Sequence, residues 1–561
     1  MRICAIFCRL FATTRSSTWP RHWIVALAAS LLLAAGCGGG GNPPVAALAH
    51  AVVYTRAAVG SGLTDLYLVN ADGTGTLLLA GSADRELFPR SVDRRIVYSR
   101  VNDSGLGDIY SVLVDGTDTV PVAVSADAEN VVAQLDDRVI FHRDVPSGVP
   151  DIYIVNADGT NLTALANTAD YERYAGIVGG RVVYERVPEP AQSDLYSVLV
   201  DGSGTVPLAT SADSELMADA TDTRVVYHRL SPTGLLDLYS VNVDGGATAT
   251  LAATSDSEQF AAIVGDRVIY HRYVGVRTRL YSVGINGTGT IELDNSPSDS
   301  VFAGVVGNRI IYHRRPPGYP GEPSGDSGPF AMVDSDIHAV GADGSAPLAL
   351  ADSADPEFFS GSVGDRVVYA RHTFGQSDLY AIAPDGTGLT ALATSPLIEA
   401  FAGSLGNHVI YSRHSPPADS TQWDLASVNV DGSGAADLAT TQERERFVGA
   451  ADGRVYFQRF SASSGSDLYA IDVDGGGVTP LAVSPDDELL AAVISIDQSS
   501  TNIHWKPQRH GTPQTAPAYS GVHTCSPHRQ EPAIVRYWGP ARTGPSLGTV
   551  IPHCRGYARS R

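Results

Sequence analysis

The chain has 561 residues, 43% of them apolar and 18% charged, with a net charge of −22. Residues 38–500 hold 27 basic and 60 acidic side chains, so this body repels nucleic-acid phosphates and is excluded as a DNA- or RNA-binding surface. Lys506 is the only lysine, and the body has no cysteine, which removes Schiff-base and thiol chemistry from it. The 57 Gly and 33 Pro point to many turns and short elements.

The first element is an address. Arg15 and Arg21 precede an apolar run of 13 residues, Trp23 to Ala35, the length of a signal-peptide core and too short to span a bilayer. It ends in Leu33-Ala34-Ala35-Gly36-Cys37. This string resembles the lipobox of bacterial lipoproteins, in which the cysteine is lipidated and becomes the first mature residue; Ala34 stands where Leu is commoner. The resemblance implies a signal peptide over 1–36, lipidation at Cys37 and a Gly/Pro-rich tether over 37–49. Gly38 in place of an Asp implies the outer membrane, with the periplasmic or surface face left open.

Residues 50–499 are repetitive. Asp65-Leu66-Tyr67 recurs ten times with small changes, at spacings of 43 residues four times, then 42, 57, 42, 46 and 43. Each copy follows a β-branched and aromatic run such as Arg224-Val225-Val226-Tyr227-His228-Arg229, and precedes an Asx-Gly pair such as Asp244-Gly245, a hairpin signal because those residues tolerate positive φ. Each unit reads as four short strands, a to d, which is the size of a β-propeller blade. The first unit starts at strand b, and a spare strand a, Glu488 to Ser495, follows the last. The expected fold is therefore all-β, a single propeller of about ten blades closed by that strand joining the N-terminal strands b, c and d. Two smaller rings or an open ring are the alternatives. The string Asp237 to Gly246 resembles the blades of TolB-type, WD-repeat-like bacterial propellers. The α/β domain that precedes the TolB propeller is absent, so its envelope role does not carry over.

Antiparallel strands place the start of a, the end of b and the start of c side by side. Those positions read Glu215, Arg229, Asp237 in the fifth unit, Glu357, Arg371, Asp378 in the eighth and Glu445, Arg459, Asp467 in the tenth. A ladder repeated around the ring is expected to pin register, one Arg fork serving two flanking carboxylates; a carboxylate ring that binds a cation or basic partner is the functional alternative. The exceptions mark the candidate binding site. Arg279 replaces the Asp in the sixth unit and Ser300 replaces the Glu in the seventh, whose b–c loop carries the one large insertion, from Arg315 to Ser335, including Tyr319, Phe330 and Met332. His142, His228, His271 and His313 share one strand-b position and are expected to pack between blades rather than bind metal. Calcium at Asp472–Gly477 is a minor alternative to an ordinary turn; no other cofactor is expected. Gly-x-Ser-x-Gly, His-Glu-x-x-His, P-loop and Cys-x-x-Cys motifs are all missing.

Residues 500–561 break the pattern with Lys506, seven Arg and a single Glu, and read as a basic, disordered tail. The expected protein is thus a monomeric, lipid-anchored envelope scaffold that binds a protein or glycan. A propeller lyase or hydrolase acting on polysaccharide at the channel mouth is the alternative.

Overall fold

The computed structural model describes residues 50–58, 60–144, 149–188, 192–317, 334–373, 375–414, 422–461 and 465–495. All regular structure among them is strand. Forty strands pair as ten four-stranded antiparallel units in the order a-b-c-d, seven units standing as separate sheets built in sequence order. The eighth and ninth units are joined into one sheet by a single parallel bridge, Ser377 to Ile398. The remaining unit, blade one, is made from both ends of the body. Strand a, Asp487–Ser495, pairs with strand b, His50–Ala57, which pairs with strand c, Thr64–Asn70, and that with strand d, Leu77–Ala80.

The core lies in the seams between blades. Ten apolar clusters each draw on two successive blades. The cluster of Val52, Tyr54 and Val69 with Tyr456, Leu468 and Ala470 joins blade ten to blade one, so the seams run in a cycle. This is a β-propeller, and the spare strand closes it as expected. The Val-Val-Tyr run of strand b is buried from both sides, which is why it reads as a continuous apolar stretch rather than an alternating one.

Turn chemistry sets the blade length. Of the Asx-Gly pair in the c–d turn only the glycine takes positive φ, 80° at Gly73, followed by 66° at Gly75; Asp72 instead accepts hydrogen bonds from Thr74 N at 2.9 Å and Thr74 Oγ1 at 2.6 Å. Gly73 has a second constraint, because a Cβ there would stand 2.5 Å from the Pro480 carbonyl oxygen of the neighbouring blade. Each strand a carries one extra residue as a bulge, such as Ala218 in blade five. Strands a of neighbouring blades approach one another, which places them on the inside of the ring. Their aromatic side chains lodge against glycines of the preceding blade: a Cβ on Gly403 would lie 2.6 Å from Phe447 Cε1.

Candidate functional site

The charge ladder has the predicted register. Glu215 faces Arg229, which faces Asp237; Glu357, Arg371 and Asp378 align likewise, as do Glu445, Arg459 and Asp467. The chemistry along it differs from a double ion pair. The Arg Nε donates to Glu Oε1, at 3.3 Å in blade five, 3.0 Å in blade eight and 3.2 Å in blade ten. The guanidinium then lies over the strand-c tyrosine instead of reaching the Asp; Arg229 Cζ is 4.4 Å from the Tyr239 ring centroid. That tyrosine stacks on its strand-b counterpart, Tyr227, at 5.7 Å.

The glutamates are fully buried and already engaged, so they form no open carboxylate ring. A Ser or Thr four residues earlier donates its hydroxyl to Oε1, as Thr254 does to Glu258 at 2.5 Å. The second oxygen of Glu86, Glu129, Glu258, Glu357, Glu399, Glu445 and Glu488 has no hydrogen-bond partner. Burial pushes the carboxyls of Glu86, Glu258 and Glu445 above the usual carboxylate range, with the strand-c Asp of the preceding blade adding to the rise.

Both exceptions to the ladder sit at one seam, between blades six and seven. Arg279, on strand c of blade six, donates to the Ser296 carbonyl and lies 3.7 Å from Glu292. Ser300 occupies the glutamate position of blade seven, facing Arg314. The missing carboxylate is supplied by Asp294, six residues earlier, where the other blades have Ala. Asp294 accepts from Ser300 Oγ at 2.6 Å and from Arg314 at 3.1 and 2.9 Å. Burial would raise its pKa, but the hydrogen bonds from Arg314, Ser300 and the Ser296 backbone outweigh it and hold Asp294 below the usual value. Arg315 is 7% exposed and pairs across strands with Asp299, so it belongs to the blade rather than to a free loop. Tyr319, Phe330, Met332 and Cys37 lie outside the described residues.

The histidines tie blades together. The backbone N–H of Tyr174, Phe260 and Phe302 donates to Nε2 of His142, His228 and His271 in the preceding blade, at 3.1, 3.0 and 2.9 Å. Each therefore sits neutral; burial pushes His228 and His271 down to about 4. His313 is pushed to about 3, by burial and then by Arg315. At Asp472–Gly477, Asp474 accepts from Gly476 N at 3.1 Å and Asp472 pairs with Arg454, the ordinary use of a c–d turn. No group of three or more metal-ligating residues is found among the described residues.

No family model matches the sequence, and no curated protein matches it. Among solved structures it is similar to the tricorn protease, at 12% identity and a TM-score of 0.32, covering 76% of this chain and 47% of that one. It is similar to TolB from Acinetobacter baumannii at 16% identity and 0.23, covering 47% and 66%. The β-propeller domain of the Trilobed protease from Pyrococcus furiosus matches at 11% and 0.28, covering 56% and 98%. The chain spans about half the length of the tricorn protease. The propeller assignment rests on the strand pairing and the cyclic seams.

Proposed function

We propose that the chain is a lipid-anchored envelope propeller that binds a partner protein or glycan through the loop face at blades six and seven. One observation carries the reading: the two departures from a tenfold pattern, Arg279 and Ser300, fall on the same seam, beside the one long b–c insertion. The change at Ser300 is compensated within the blade, where Asp294 serves Arg314, and Arg279 lies 3.7 Å from Glu292. Val274 and Val276, exposed at the adjoining hairpin tip of blade six, add apolar contact area on the same face.

The test is capture from envelope extract by full chain carrying Cys37→Ser. It runs beside the same chain with Arg279→Asp, which restores the repeat, and beside one with residues 316–333 replaced by a Gly-Ser linker. A partner retained by the first and lost from both others supports the reading. Equal capture by all three removes this seam as the site.

A further inference from the structure

Six arginines of the described body are exposed: Arg85, Arg90, Arg94, Arg173, Arg444 and Arg446. Most of the others are engaged inside blades, on carboxylates, tyrosine faces and turn carbonyls. Arg173 pairs with Glu185, and Arg94 sits on an a–b turn. The remaining four lie on the inner strands of blade two, Arg85–Val92, and blade ten, Arg444–Ala451, on either side of strand a of blade one. Among the described residues the side chains of Arg85, Arg90 and Arg446 have no ion pair or hydrogen bond, and Arg444 lies over Trp423 at 5.2 Å and Phe460 at 5.8 Å. Four exposed arginines on two inner strands concentrate positive charge in a strongly acidic body, with Asp84, Glu443, Asp486 and Asp487 at the strand starts beside them.

Apolar side chains stand within the same crescent. Phe88 is 64% exposed, whereas Phe302, Phe359, Phe401 and Phe447 at the same position in other blades are half-buried. Its backbone has φ of 53°, a region that a bulky side chain enters only under strain. Leu489 on the adjacent strand is 42% exposed. Of the acids at the strand starts, Asp487 accepts from the Ser466 N–H at 2.9 Å and Glu443 lies 3.8 Å from Arg459.

We propose that the inner strands of blades ten, one and two form a docking surface for an acidic polypeptide segment bearing apolar side chains, supplied by a partner protein. Arg85, Arg90, Arg444 and Arg446 are the forks for its carboxylates, and Phe88 with Leu489 takes its apolar groups. Charge chooses the occupant. The chain's own residues 501–561, with Lys506, seven Arg and one Glu, carry the same sign of charge as these arginines. An anionic glycan would satisfy the arginines but leave Phe88 and Leu489 facing hydroxyls. This surface lies away from the blade-six and blade-seven seam and stands or falls independently of it.

The probe is a fluorescein-labelled peptide of repeated Glu-Leu-Asp-Phe units, titrated with the purified full chain by anisotropy. A Lys-Leu-Arg-Phe counterpart and oligogalacturonate are measured in parallel. The acidic peptide is expected to bind, more weakly as salt rises, with the basic one inert. Arg85→Gln with Arg446→Gln should weaken binding about tenfold or more, and Arg446→Lys should keep part of it. Phe88→Gly is the sharper variant: it relieves the backbone, so the melting temperature should rise while affinity falls. No binding of the acidic peptide, affinity indifferent to both changes, oligogalacturonate bound in its place, or concentration-dependent self-association blocked by the same variants would each overturn the proposal.

Discussion

The transposed carboxylate of blade seven makes a quantitative prediction. Asp294→Ala removes both carboxylate acceptors of the Arg314 guanidinium and leaves a half-buried charge facing Ser300, with Tyr312 Oη at 3.5 Å as its remaining acceptor. Breaking a buried pair costs ~3–5 kcal/mol, and the partial exposure of Arg314 places this one at ~2–3 kcal/mol. Ser300→Glu alone adds a second buried carboxylate beside Asp294, for a loss of ~2 kcal/mol or more. The double variant recreates the Ala and Glu of the other nine blades and is expected within ~1 kcal/mol of the parent, a coupling of ~3 kcal/mol or more. Unfolding entropy of ~2.1 cal/mol/K per residue, over a ring of roughly 450 residues, turns each single loss into a drop of ~2–3 °C in Tm. Differential scanning calorimetry on the four chains measures it. If the double variant melts at the sum of the two single shifts, Asp294 does not stand in for the missing glutamate and the reasoning fails.

Three further expectations follow the same logic. His271 is neutral when folded and titrates near about 4 rather than its unfolded ~6.5. Its contribution is therefore complete above ~6.5 and is lost as pH falls toward 4, up to ~3 kcal/mol; His271→Gln should flatten the acid limb of a Tm–pH curve, and an unchanged limb counts against the assignment. Gly403→Ala drives a methyl to 2.6 Å from Phe447 Cε1 and should cost ~1–3 kcal/mol in denaturant melts, partly recovered by Phe447→Leu; a neutral single change would show that the cradle is slack. Cys37→Ser should abolish incorporation of labelled fatty acid and free the protein from membranes, and persistent labelling would refute lipidation.

Blade length, strand register and ring closure were readable from the residues because they rest on local rules. A glycine at each c–d turn fixes strand length, and a one-residue slip would have moved Glu215 and Arg229 off the same level. What lay hidden depends on distances across strands. The strand-c Asp was read as the second partner of the Arg, yet the guanidinium spends that side on Tyr239, whose ring is close only after the Tyr pair has stacked. Asp294 was invisible as a substitute because its reach to Arg314 crosses a loop of six residues, so Ser300 looked like a loss instead of an exchange. The exposed face of Phe88 had no signal beyond the following Pro89, since the same position in other blades is also apolar.

Closure of blade one joins residues far apart in the chain; Arg56 meets Glu488 across 432 positions. Bringing the ends of a flexible loop of that length together costs on the order of 5 kcal/mol. Nine seams can zip up one after another during synthesis, each delivering the free end nearer to its start. Until the nine residues of Asp487–Ser495 have been made, however, strand b of blade one presents a bare hydrogen-bonding edge along Val52, Val53 and Tyr54. The nascent protein is thus an arc with one adhesive end, and its hazard of pairing with another copy lasts as long as that final strand takes to arrive.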